Sequence, residues 1–110
     1  PRHGGTAVAE AILGSRPAEE ARLLAQRVAA LGAVAVVGVE AGGKQQLIVA
    51  RGDGLAVDAG KVVRETVTPL GGRGGGKPDL AQAGGPDADT LARAVSEATR
   101  LVATMLGTGT

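Results

Sequence analysis

Apolar residues along this chain change their spacing several times, and each change marks an element. Ala7-Val8-Ala9-Glu10-Ala11-Ile12-Leu13 predicts a first strand, closed by the breaker Gly14-Ser15-Arg16-Pro17. Pro17 suits the first position of a helix, and Glu19 and Glu20 in the first turn complement its dipole. Ala21, Leu24, Ala25, Val28 and Leu31 then recur at helical spacing on one face, and Gly32 stops the run. Ala33–Glu40 is β-branched and almost continuously apolar, the pattern of a central strand covered on both faces. A turn at Ala41-Gly42-Gly43-Lys44 leads to a partner strand over Gln45–Ala50. Arg51-Gly52-Asp53-Gly54 reads as an ordinary turn, although its first three residues spell an integrin-binding tripeptide.

Asp58 is placed to cap a second helix whose face is Ala59, Val62, Val63 and Val67, with Lys61, Arg64 and Glu65 elsewhere and Pro69 at its end. Leu80-Ala81-Gln82-Ala83 is long enough for one edge strand. Gly84-Gly85-Pro86-Asp87 turns into a last helix, capped by Asp87, with a stripe of Leu91, Ala94, Val95, Ala98, Leu101, Val102 and Met105. The expected order is β-α-β-β-α-β-α. This is a single α/β domain over residues 1–110, a mixed sheet packed by about three helices, with loose ends at 1–6 and 107–110. A first residue other than Met is expected of a piece of a longer chain.

Between the second helix and the edge strand lies a stretch that fits neither period: Gly71-Gly72-Arg73-Gly74-Gly75-Gly76-Lys77-Pro78-Asp79-Leu80-Ala81-Gln82-Ala83-Gly84-Gly85. Seven of these fifteen residues are glycine, which loses the most conformational entropy on ordering. Successive amides in such a loop can form an anion-binding concavity, and Arg73 and Lys77 add charge. The familiar phosphate fingerprints fail. Pro78 stands where a P-loop needs its metal-binding hydroxyl, and the dinucleotide pattern is not met. A flexible linker would be richer in serine. With Lys61 and Arg64 close in sequence, the cationic loop reads as a surface for a sugar-phosphate backbone; the ordinary alternative for Lys61 and Arg64 is the solvated face of a helix.

Composition narrows the choice. The 110 residues include no aromatic side chain, so the core must be Ala, Val, Leu and Ile. Base stacking on aromatic rings is excluded. Twelve Lys and Arg against eleven Asp and Glu leave +1, so any nucleic-acid contact must be a local patch. There is no cysteine and no apolar run of membrane-spanning length, and no signal peptide is expected. His3 stands alone, Ser15 and Ser96 lack the context of a nucleophile, and no metal-ligand cluster is visible. Asp79, Asp87 and Asp89 cluster, but helix capping explains two of them. No catalytic residue is assigned.

The glycine stretch resembles the motif of the DHHA1 domain, in the form it takes at the C-terminus of alanyl-tRNA synthetase. There the pattern runs Gly-Gly-x-Gly-Gly-Gly-Arg/Lys-Pro-x-x-Ala-Gln-Gly/Ala-Gly before a helix. Lys77 stands where Arg is common and Ala83 where Gly is common. The resemblance implies a non-catalytic, cytoplasmic tRNA-binding module that holds the outer corner of alanine-specific tRNA and helps couple aminoacylation with editing. The tRNA-facing candidates it implies are Gly71, Gly72, Gly74, Gly75, Gly76, Lys77, Pro78 and Gln82. It implies no cofactor in this domain, ATP and zinc belonging to other domains of the parent. Those domains are the other expected partners, and dimerisation would run through a helical segment outside this chain. DHHA1 domains also follow the catalytic domains of phosphoesterases that degrade oligonucleotides, and occur in free-standing editing proteins. The phosphoesterases carry a histidine after the glycines, where Lys77 stands here. A purely structural or oligomerising module is the reading from a different class.

Overall fold

In the computed structural model, residues 2–3, 6–85, 87 and 89–107 are described. The strands are β1 (Arg2–His3), β2 (Thr6–Ser15), β3 (Val34–Ala41), β4 (Lys44–Arg51), β5 (Arg73–Gly76) and β6 (Leu80–Gly84). The helices are α1 (Ala18–Ala29), α2 (Ala59–Val67) and α3 (Leu91–Met105). One mixed sheet runs β1-β2-β3-β4-β6-β5, with β2 and β3 parallel and the other pairs antiparallel.

Because side chains alternate along a strand, β3 feeds two cores. Val34 and Val36 join Leu47 and Val49 of β4 and Ala81 and Ala83 of β6, facing Val62, Val63 and Val67 of α2 and Val95, Ala98 and Val102 of α3. Ala35, Val37 and Val39 join Ile48 and Ala50 on the opposite face, under α1. The expected two-sided burial of the central strand is therefore met, and the result is three layers. Each fully buried valine contributes about 2 kcal/mol by area. Many small side chains thus replace the few aromatics of an ordinary core.

Four expectations are corrected. The glycine run is not a loop: Arg73–Gly76 is the edge strand β5, and β6 lies inside, between β4 and β5. On α1 the buried residues are Ala21, Ala25 and Ala29, whereas Leu24 is exposed and Leu31 is 85 % exposed. A face of alanines lets the helix lie close on the sheet, and that contact outcompetes the bulkier stripe. Thr90 rather than Asp87 holds the N-cap position of the last helix, and its side chain makes no capping hydrogen bond there. Asp87 caps the turn before it, its Oδ1 accepting from the Thr90 N–H at 2.9 Å while its own N–H donates to Thr90 Oγ1 at 2.9 Å. Arg2 and His3 pair with Ala7 and Thr6, so the leading segment is not wholly loose. Pro86 of the expected turn and residues 108–110 lie outside the described residues.

Other details agree with the pattern. Asp58 caps α2 through Oδ1, which accepts from the Lys61 N–H at 3.1 Å. Past α2, a 3-10 turn over Thr68–Leu70 carries Pro69 and ends on Gly71 at φ 79°. Gly52 of the Arg51–Asp53 tripeptide donates to the Ala33 carbonyl at 2.9 Å, and a Cβ on it would meet the Ala29 carbonyl at 2.8 Å. The tripeptide runs from the last residue of β4 into a turn, with Gly52 pinned beneath the end of α1. None of the described helices is long and apolar enough to cross a membrane.

Candidate nucleic-acid interface

The edge strand β5 has α2 on one side and β6 along one edge, and most of its glycines are there because of those neighbours. A Cβ on Gly74 would stand 2.2 Å from the Ala83 Cβ. One on Gly60 of α2 would stand 2.8 Å from the Gly76 carbonyl, and one on Gly72 would stand 2.4 Å from the Gly84 carbonyl. Contacts this short are not accommodated without moving backbone. The strand is held at both ends as well. The Gly72 N–H donates to the Val67 carbonyl at 2.8 Å, and the Lys77 N–H donates to the Leu80 carbonyl at 3.0 Å.

The hairpin loop between β5 and β6 is itself anchored. The Pro78 carbonyl accepts from the Ala59 N–H at 2.9 Å, the start of α2, and the Asp79 carbonyl accepts from the Arg51 N–H at 3.0 Å. Pro78 thus lends its carbonyl to an otherwise unsatisfied helix amide.

Gly75 differs from its neighbours. A Cβ there would have nothing closer than Arg64 Nη1, at 3.7 Å, an ordinary contact. The half-buried Gly75 therefore sits beside a guanidinium, on a strand with no side chains at Gly74, Gly75 and Gly76. Arg64, Arg73, Lys77 and Lys61 are all exposed. Among the described residues the only ion pair is Arg100–Glu97, so these four cations are unneutralised.

A second set of polar groups continues across the sheet. Arg22 of α1 donates from Nη1 to Gln82 Oε1 at 2.8 Å, and Gln82 Nε2 donates to Gln46 Oε1 at 3.0 Å. All three side chains are half-buried. By register, Gln82 lies between Ile48 and Gly75, and Gly84 between Gln46 and Arg73. Among the described residues no group of three or more His, Cys, Asp or Glu is placed to hold a metal ion.

This geometry has counterparts. The DHHA1 domain model matches residues 8–104. The chain belongs to the DHHA1 domain family. The alanine–tRNA ligase of Halorubrum lacusprofundi is 43 % identical over 95 residues, covering 86 % of this chain and 10 % of that protein. The alanine–tRNA ligase of a Parafrankia strain is 41 % identical over 109 residues, 91 % of this chain and 12 % of that protein. The chain thus spans about a tenth of the length of these relatives. The crystal structure of the C-Ala domain from Aquifex aeolicus alanyl-tRNA synthetase superposes with a TM-score of 0.74 at 28 % identity, covering 96 % of each chain.

In this DHHA1 domain the motif divides by role. Gly72, Gly74 and Gly76 serve packing, and Gly71 serves the left-handed end of the 3-10 turn. Gly75, Arg73 and Lys77 are left facing outward with Arg64, and Gln82 is tied to Arg22 and Gln46. Lys61 lies on the exposed side of the first turn of α2, its amide occupied by the Asp58 cap. Sequence reasoning missed Arg22 and Gln46. Nothing local marks an arginine on an amphipathic helix or a glutamine at the start of a strand.

Proposed function

We propose that this DHHA1 domain is a non-catalytic tRNA-binding module of an alanine–tRNA ligase, holding the outer corner of alanine-specific tRNA. In the parent it would help keep the bound tRNA available to aminoacylation and to editing, chemistry whose ATP and zinc belong to other domains. The observation that carries this reading is Arg64 beside the bare Gly75 on an exposed edge strand, flanked by Arg73 and Lys77. A backbone without side chains lets a sugar-phosphate chain approach closely, and three unneutralised cations supply the attraction. A net charge of +1 fits recognition of one shaped feature better than general affinity for polyanions. The relatedness to alanine–tRNA ligases supports the choice of RNA. Exposed Leu23 and Leu24 on α1 line a shallow groove with Leu13, Arg16, Glu20 and Arg27, and this mixed apolar and charged surface suits contact with other domains of the parent.

The test compares binding of the 110-residue chain to intact alanine-specific tRNA and to a minihelix of its acceptor and T arms, which lacks the corner. Binding of the intact tRNA at least ten-fold tighter supports the assignment. Equal binding to both would remove the corner, and binding to neither would remove tRNA.

A further inference from the structure

The chain of hydrogen bonds from Arg22 through Gln82 to Gln46 has a direction that chemistry fixes. A guanidinium only donates, so the Gln82 atom 2.8 Å from Arg22 Nη1 must be its carbonyl oxygen. The Gln82 amide nitrogen then faces β4, and the Gln46 atom 3.0 Å from it must be an acceptor, Oε1. Gln46 is left with its Nε2 outward, and that nitrogen donates to nothing among the described residues. An amide whose orientation is set by a charged donor two groups away cannot turn over to present its oxygen without breaking the chain.

The surroundings leave that nitrogen open. Gln46 lines a groove of about 440 Å³ with Lys44, Gln45, Gly84, Gly85 and Asp87. A Cβ on Gly84 would lie 3.9 Å from both Gln46 Nε2 and Oε1, and its φ is not left-handed. The fold therefore does not require glycine there, but a side chain would cover the amide. Lys44 and Asp87 bring opposite charges to the groove, so it has no net attraction for a phosphate. The occupant that fits is neutral and presents an acceptor to the open Gln46 amide.

We infer that Gln46 Nε2 is a base-reading donor, oriented through Gln82 by Arg22, that takes a carbonyl oxygen or ring nitrogen of a nucleobase lying in the groove over Gly84 and Gly85. The inference rests on the tRNA reading above and adds to it a contact of a different kind. Cationic contacts to phosphates displace counterions and set the salt dependence of binding, whereas a neutral donor to a base displaces none. The two are separable in one experiment.

Binding of the 110-residue chain to alanine-specific tRNA is measured across a salt series for the unaltered protein, Gln46→Met and Gln82→Glu. Gln46→Met keeps the length and removes the donor. Gln82→Glu keeps an acceptor for Arg22 but has no N–H for Gln46, whose nitrogen then turns inward to the carboxylate. Both are expected to weaken binding about ten-fold at every salt concentration with the slope unchanged for Gln46→Met. The side-chain NH₂ resonances of Gln46 are expected to shift when tRNA is added. If the unaltered protein binds and Gln46→Met binds equally well, the donor role is overturned while the tRNA reading stands. A Gln46→Met loss that comes with a shallower salt slope would overturn it too, since the residue would then be acting on charge. If the unaltered protein does not bind, both readings fall.

Discussion

Gly72 and Gly85 touch backbone to backbone: a Cβ on Gly85 would stand 2.1 Å from the Gly72 Cα. The two residues bracket the β5–β6 hairpin and close its open end. Gly85 also has φ 113°, which an L side chain rarely adopts. Gly85→Ala is therefore expected to cost about 3 kcal/mol through overlap and strain, read as a lower urea midpoint. Gly75→Ala, with its nearest neighbour 3.7 Å away, is expected to change stability by less than about 0.5 kcal/mol. Equal losses for the two would refute the division of the motif into packing and open positions.

Arg64→Ala and Arg73→Ala remove exposed cations beside the bare strand, so neither should move the unfolding midpoint. Each is expected to flatten the dependence of log affinity for tRNA on log salt by about 0.9. A salt series on the single and double variants checks this. Additive flattening places both on phosphates, and an unchanged slope would take them out of the interface.

Thr66 is buried on α2, and its hydroxyl oxygen has no hydrogen-bond partner among the described residues. Leaving such a group dry costs about 1–3 kcal/mol, and valine has nearly the same shape. Thr66→Val is expected to stabilise the domain by about 1 kcal/mol in thermal or urea unfolding. A loss of stability would mean that the hydroxyl has a partner in solution.

The cap at Asp58 gives a change of the opposite sign. Its Oδ1 accepts from the Lys61 N–H, and Asp58→Ala orphans that donor. A loss of about 1 kcal/mol is expected, with Asp58→Asn recovering most of it because the amide oxygen can accept in the same place. Circular dichroism during urea unfolding checks both variants.

What the sequence made legible follows from how local each signal is. The stripes of α2 and α3 read correctly because valine and leucine there face the sheet directly: Val62, Val63, Val67, Val95 and Val102 are buried as spaced. On α1 the same counting favoured Leu24 and Leu31, but Ala21, Ala25 and Ala29 won the sheet face because close approach suits alanine. β5 could not be read at all. Glycine has no strand propensity, and Arg73–Gly76 becomes a strand only because Ala81–Gly84 is there to pair with it. The candidate site divides in the same way. Its motif half was visible in one stretch of fifteen residues, whereas Arg22 and Gln46 meet Gln82 across 60 and 36 positions of chain.

The strand that ends the sheet has a bearing on solubility. An unpaired edge is a template on which a second copy can add its own strand, and proteins commonly blunt such edges with charge or a short run. β5 is four residues long, opens on Arg73 and is followed by Lys77. Three of its four residues offer no side chain to interlock with an incoming strand, and dry side-chain interdigitation is what makes stacked strands persist. The residues that leave this edge bare for a ligand also make it a poor seed for aggregation, so the domain can leave the outer edge of β5 unpaired while α2 packs on one face of the strand.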